Sequence, residues 1–305
     1  MSAVAGLVVR ARSSFYTVET DDGDRVEAGI RGRIKKERQA SDLAVIGDRV
    51  SVQRLDDGTG IIESVEPRRT RFSRRQPGPR GSWREDVMVA NPDLVAVVLA
   101  CDRPPPNPRL IDRFLVVAEY EELPALIVAN KVDLVPAERA RSVFGPYEAI
   151  GYEVVYASAR DGTGLEAFAD RLSAGISIVT GPSGVGKSTL LNAIEPGLRL
   201  DTGEVSETLH KGRHTTTNAE LHPLSGGGYV ADTPGIRELG LWEIPTTELA
   251  GCFPEFRDHL SGCAFNDCTH THEPRCALRA AVQAGTVSEA RYDSYRRMLA
   301  GEQSG

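Results

Sequence analysis

The chain has 305 residues, of which 40% are hydrophobic, 6% aromatic and 26% charged, with 30 glycines and 18 prolines. That composition belongs to a globular protein and excludes a disordered or fibrous one, and the length predicts two or three packed units. The net charge of −7 conceals a division: residues 1–90 hold 17 Lys and Arg against 14 Asp and Glu, whereas residues 91–305 hold 19 against 29. The longest apolar run, Leu94 to Cys101, is eight residues, far short of the roughly 20 that span a bilayer. Arg10 and Arg12 follow the short N-terminal apolar stretch instead of preceding it, the wrong polarity for a secretory signal, so a cytoplasmic protein is expected.

From Ala5 to Val65 short β-type runs alternate with turn residues: Gly6 to Arg12, Phe15 to Thr20, Arg25 to Gly29, Arg49 to Arg54 and Gly60 to Val65. Asp22-Gly23 and Asp57-Gly58 are hairpin signals, and a small closed barrel of the OB type is the economical arrangement. Phe15 and Tyr16 are expected in its core. Basic residues cluster at Arg31, Arg33, Lys35, Lys36 and Arg38, and again at Arg68, Arg69, Arg71, Arg74 and Arg75; one such cluster reads as a solvated loop, but two beside one barrel favour a polyanion surface. Gln76 to Ser82 has neither period nor apolar content and reads as a mobile linker.

Beyond Asn91, buried strands alternate with helices. Strand Leu94 to Cys101, helix Leu110 to Glu121, strand Ala125 to Ala129, helix Ala137 to Ile150 and strand Glu153 to Ala157 are followed by helix Leu165 to Leu172, strand Ile176 to Thr180 and helix Lys187 to Ile194. This alternation predicts a mostly parallel sheet covered on both faces. From about Leu249 a Cys/His-bearing loop leads to a helix, Ser288 to Leu299.

Gly181, Pro182, Ser183, Gly184, Val185, Gly186, Lys187, Ser188 and Thr189 match the phosphate-binding loop and lie between a strand and a helix, as that motif requires. The glycines let backbone N–H groups turn toward phosphates, Lys187 reaches the terminal phosphates and the Ser188 hydroxyl is placed to ligate Mg²⁺. Asn130, Lys131, Val132 and Asp133 end a hydrophobic strand. A carboxylate at Asp133 accepts from both the ring N–H and the exocyclic amine of guanine, a donor pair adenine lacks, so the set selects GTP over ATP. Ser158 and Ala159 follow the next strand and would present backbone N–H to the guanine oxygen. Asp232-Thr233-Pro234-Gly235 would reach the metal through a water, with Gly235 sensing the γ-phosphate. Lys211 to Thr217 lies where a first switch belongs, and Thr216 is the expected Mg²⁺ ligand from it. Ile236 stands where many GTPases carry a water-orienting Gln, so slow intrinsic hydrolysis is expected, with His214 or a partner supplying the missing group.

In an ordinary GTPase the guanine-reading motifs follow the phosphate loop. Here positions 130 and 158 precede position 181, which is the order of a circularly permuted domain, and a site built at the ends of parallel strands survives such rejoining. Switch II then runs directly into the C-terminal module and can pull on it.

The chain has five cysteines. Cys101 and Cys252 are isolated, while Cys263, Cys268 and Cys276 with His270 offer three thiolates and an imidazole within a short segment, a set suited to a closed, structural Zn²⁺ site. His272 and Cys252 are expected to lie outside it.

This order of parts resembles the bacterial ribosome small-subunit-dependent GTPase A (RsgA) family over nearly the whole chain. The likeness rests on Asn130 to Asp133, Gly181 to Thr189, Gly212 to Thr217, Asp232 to Gly235 and the Cys263, Cys268, His270, Cys276 set. It implies a permuted α/β P-loop GTPase domain at 91–247, after an OB barrel at 1–68 and a linker at 69–90, with a mainly helical zinc module at 248–305. It implies a late assembly factor, monomeric and cytoplasmic, that binds GTP, GDP, Mg²⁺ and one structural Zn²⁺, docks on the small (30S) subunit and its 16S rRNA, is stimulated by that subunit and leaves after hydrolysis. From the residues alone, two other readings stay open: a permuted GTPase of the large subunit, and an RNA-binding protein that holds guanine nucleotide as a structural ligand.

Overall fold

The computed structural model describes residues 3–12, 15–31, 44–77, 83–200, 219–232 and 244–301. The first five strands, β1 (Ala3–Arg12), β2 (Phe15–Thr20), β3 (Arg25–Ile30), β4 (Arg49–Arg54) and β5 (Gly60–Val65), close in the order β1-β2-β3-β5-β4 back to β1, with β3 and β5 parallel and the other pairs antiparallel. This is the OB-type barrel expected from the turn spacing. Its core is Val8, Tyr16, Val18, Val26, Val50, Val52 and Ile62. Phe15 departs from expectation. It is 68% exposed while Tyr16 is buried, because successive strand residues face opposite ways and only one of an adjacent pair can enter the core.

Within residues 69–90, expected to be a linker, the described residues form paired strands. β6 (Arg71–Pro77) and β7 (Trp83–Ala90) pair as an antiparallel hairpin. Phe72 and Val89 sit opposite each other, fully buried, and anchor its base; the charged residues that follow hid this short apolar pattern. The second basic cluster is also partly neutralised by the fold. Arg68 pairs with the fully buried Asp48, Arg69 with Asp93 and Arg71 with Glu85. Asn91 ties the pieces together: its side chain accepts from Arg69 N and donates to Gly47 O, and its backbone N–H donates to Thr70 O.

The GTPase-type domain consists of β8 (Leu94–Ala100), α1 (Pro108–Tyr120), β9 (Ala125–Asn130), α2 (Ala137–Ala149), β10 (Glu153–Ala157), α3 (Leu165–Leu172), β11 (Ile176–Thr180), α4 (Lys187–Ile194), β12 (Ala219–Pro223) and β13 (Tyr229–Asp232). The strand order is β10-β9-β8-β11-β13-β12, parallel except for β12. Apolar side chains on both faces bury the sheet, as a parallel sheet requires.

β12 continues into the barrel by pairing with β1 at Arg10↔Glu220 and Ala11↔Ala219. A bulge at Val8/Arg10 lets Val8 enter the barrel core and Val9 the core of the GTPase-type domain. An Arg10–Glu220 ion pair and a hydrogen bond from Tyr229 OH to Glu19 reinforce the joint. The C-terminal module carries α5 (Thr246–Leu249), α6 (Arg257–Leu260), α7 (Ala277–Gln283) and α8 (Glu289–Leu299), with two 3-10 turns at Ala250–Cys252 and Pro254–Phe256. Its core includes Leu249, Phe253, Phe256, Leu278 and Tyr295 together with Val116 from α1.

Candidate functional sites

Every segment of the expected nucleotide pocket that the structure describes lies at the carboxyl ends of the parallel strands. Gly181 leaves β11 at φ +138, and a Cβ there would stand 2.1 Å from Val98 O. Gly184 and Gly186 also have positive φ, so the loop follows a course open to glycine and turns into α4. Lys187 Nζ donates to Gly181 O at 2.7 Å and Pro182 O at 2.8 Å. Ser188 and Thr189 fall in the first turn of α4, next to Lys187.

The residues expected to read guanine meet this loop directly. Asn130 closes β9, and its side-chain amide donates to Val185 O at 2.7 Å. Lys131 bends the chain at φ +63 and its ammonium donates to Gly184 O at 2.7 Å and to Arg103 O. Burial pulls the Lys131 pKa below its ordinary value, with Asp102 and Asp133 opposing. Val132 and Asp133 occupy a 3-10 turn. One oxygen of Asp133 accepts from Ser158 Oγ at 2.9 Å and the other stands 3.7 Å from Arg160. Asp133 is therefore held by Ser158 on one oxygen and faces Arg160 with the other, and Ala159 follows in the adjoining turn.

The donor and acceptor set fits a guanine nucleotide. A glycine backbone of this course can cradle phosphate, Lys187 stands on the same loop, and Asp133 offers the carboxylate that guanine's N–H pair calls for. The Asn130 Oδ1 acceptor is buried and unpaired. Sequence spacing did not reveal the Ser158 hydroxyl as the Asp133 partner, nor Arg103 and Arg160 at the pocket, because these contacts join segments without a shared motif. Asp232 ends β13. Thr216, His214, Gly235, Ile236 and the first basic cluster beyond Arg31 lie outside the described residues.

In the C-terminal module the ligand atoms of Cys263, Cys268, His270 and Cys276 all lie within 4.8 Å of one another. His270 Nδ1 is 3.4 Å from both Cys263 Sγ and Cys276 Sγ, and those sulfurs are 3.8 Å apart. A tetrahedral Zn²⁺ with its usual bond lengths places sulfurs about 3.8 Å apart and sulfur–nitrogen pairs about 3.5 Å apart, so the set fits the ion. Burial lowers the His270 pKa, which keeps the imidazole neutral as a ligand requires. Glu273 shapes the loop by accepting from Thr269 N, Thr269 Oγ1, Thr271 N and His272 N. Burial alone would raise its pKa, but these donors hold it well below the carboxylate range. Cys252 is buried against Glu248 O, and the His272 side chain is 83% exposed; neither joins the cluster.

These features define a circularly permuted GTPase with an N-terminal OB-type barrel and a C-terminal module whose Cys₃His cluster is compatible with zinc. The chain matches the family described as RsgA GTPase over residues 65–242 and the RsgA N-terminal domain over residues 5–62. It belongs to the RsgA GTPase family. It is 48% identical to the small ribosomal subunit biogenesis GTPase RsgA of Gemmatimonas aurantiaca, with 96% of each chain covered. It is 40% identical to the protein of the same name in Chlorobaculum tepidum, covering 97% of each. Among solved structures it resembles YjeQ from Thermotoga maritima, with a TM-score of 0.80, 36% identity and 98% of each chain covered. It also resembles YloQ, a circularly permuted GTPase, with a TM-score of 0.76 and 29% identity over 98% of this chain and 94% of that one. Among the described residues no helix is long and apolar enough to cross a membrane.

Proposed function

We propose that the protein hydrolyses GTP to drive its release from the small ribosomal subunit late in that subunit's maturation. The observation that carries this reading is the junction of the two motif sets. Asn130 and Lys131 grip the carbonyls of Val185 and Gly184, making one guanine pocket from segments encoded in permuted order. The names of the relatives supply the subunit.

Asn130, Lys131, Asp133, Ser158 and Ala159 orient the base, and residues 181–189 hold the phosphates. Water attacks the γ-phosphorus, the bond to the β–γ bridging oxygen breaks, and GDP and inorganic phosphate leave without a covalent intermediate. Lys187 moves from its loop carbonyls to the phosphates and neutralises charge as it develops. Ser188 and Thr216 would hold Mg²⁺, with Asp232 reaching it through a water, and the ion would supply further charge neutralisation. Gly235 senses the γ-phosphate, and His214 or a partner positions the attacking water. Cys263, Cys268, His270 and Cys276 hold a structural Zn²⁺. The barrel and the zinc module dock on 16S rRNA, and the factor acts as a cytoplasmic monomer. GTP turnover measured with and without purified small subunits tests the proposal: slow turnover alone and a clear acceleration by the subunit are expected, and equal rates overturn it.

A further inference from the structure

α1 presents one stripe to the C-terminal module. Arg109, Asp112, Val116 and Glu119 recur at helical spacing, and each meets that module. Arg109 pairs with Asp293, Glu119 pairs with Arg257 at 2.6 Å, and Val116 enters the module's core. At the centre Arg291 of α8 is buried, its side chain 7% exposed, between Asp112 at 2% and Glu255 at 9%. Its guanidinium donates to Asp112 Oδ1 at 2.6 Å and to both oxygens of Glu255 at 2.7 and 3.2 Å. Tyr147 OH of α2 donates to the same Asp112 oxygen at 2.8 Å, and the guanidinium lies 4.6 Å from the centre of the Phe253 ring. Such a group is poorly suited to opening and closing, since parting it strands buried charges with no partner.

The same helix also holds the metal-binding loop. Tyr292 OH donates to His270 O at 2.6 Å and Tyr295 OH to Thr269 O at 2.7 Å. At the opposite end of the chain of contacts, α1 starts just after the segment whose Arg103 carbonyl receives the Lys131 ammonium of the nucleotide pocket. Packed side chains therefore join α1, α8 and the Cys₃His loop, and residues 103–108 connect α1 to the pocket along the chain. This series is separate from the covalent connection through residues 233–243.

We infer that the Asp112–Arg291–Glu255 triad is a lock that makes the metal-binding loop a rigid extension of α1, so that the module transmits subunit contact to the nucleotide pocket through α1 instead of swinging on its tether. The inference rests on the subunit-stimulated GTPase reading given above. Arg291→Met keeps the apolar stem and removes the charge, and Asp112→Asn is a milder break that keeps an oxygen for Tyr147. Tyr292→Phe removes only the bond to His270 O.

The test uses the full-length, zinc-loaded protein and three readouts: amide hydrogen exchange across residues 263–276, GDP affinity, and turnover with and without small subunits. In Arg291→Met and Asp112→Asn, exchange in the loop is expected to accelerate about ten-fold or more. Subunit stimulation is expected to fall by a similar factor, with GDP affinity within about two-fold of the parent. Tyr292→Phe should accelerate loop exchange by a smaller factor. Unchanged loop exchange in a folded Asp112→Asn protein overturns the lock, as does a loosened loop with full stimulation. Absence of stimulation in the unaltered protein would instead overturn the proposed function, and loop exchange would still decide the mechanical claim.

Discussion

Gly186→Ala probes how tightly the two motif sets depend on each other. Gly186 has φ +94, and a Cβ at this position would lie 2.6 Å from the Asn130 amide nitrogen. Holding alanine in the left-handed region costs about 1 kcal/mol. Displacing the Asn130 amide breaks its 2.7 Å bond to Val185 O, and a buried bond lost in this way costs about 1–3 kcal/mol. Part of this strain is relieved if the phosphate loop shifts, but that shift spoils the nucleotide cradle. GDP affinity should therefore fall by about 2–4 kcal/mol, roughly 30- to 1,000-fold. Equilibrium titration with a fluorescent GDP, alongside circular dichroism to confirm folding, measures the effect. Gly226→Ala, where an added Cβ meets nothing within 4 Å, is the matched control and should bind normally. A folded Gly186→Ala protein with affinity within about three-fold of the parent would refute the coupling of Asn130 to the phosphate loop.

Gly47→Ala tests the joint between barrel and GTPase-type domain: its Cβ would lie 2.0 Å from Ala90 O at φ +86, so a loss of about 3 kcal/mol or more is expected in denaturant unfolding, and an unchanged midpoint would contradict it. Glu121 is pushed up to about 7 by burial, with Glu85 adding and Arg71 opposing. Its raised pKa favours folding below the ordinary carboxylate value near 4.5, and that contribution is lost as pH climbs from there through 7. Glu121→Gln should therefore leave stability at pH 4 nearly unchanged and raise it by about 1–2 kcal/mol at pH 8, and an equal effect at both pH values would exclude the titration. Cys276 caps α7 and belongs to the four-donor cluster. Elemental analysis should find one zinc per chain and its loss in Cys276→Ser together with melting of the module; a folded parent without zinc would end the metal assignment.

The barrel strands were legible because Asp-Gly turns punctuate a period-two pattern, and the nucleotide pocket because its motifs carry their own spacing. Features built across distance were not. The β1–β12 junction has too few pairs to leave a pattern, and the β6–β7 hairpin concealed its Phe72 and Val89 anchors among charged residues. Asp112 and Arg291 are separated by 179 positions, so neither residue, read locally, discloses that the other neutralises it. The strand–helix alternation marked the segment from Leu110 to Glu121 as a helix without showing that α1 faces two cores. Nor does the sequence show that three arginines of the second basic cluster pair with carboxylates within the fold.

The central claim is that residues encoded early in the chain complete a guanine pocket with a phosphate loop encoded late. Asp133→Ala tests it most directly, because Ser158 fixes this carboxylate at 2.9 Å and the two charge-assisted bonds it would make to guanine would each be worth about 1.5–3 kcal/mol. GDP binding should weaken by at least about 100-fold in the altered protein, with the fold intact. GDP retention equal to that of the parent would contradict the claim.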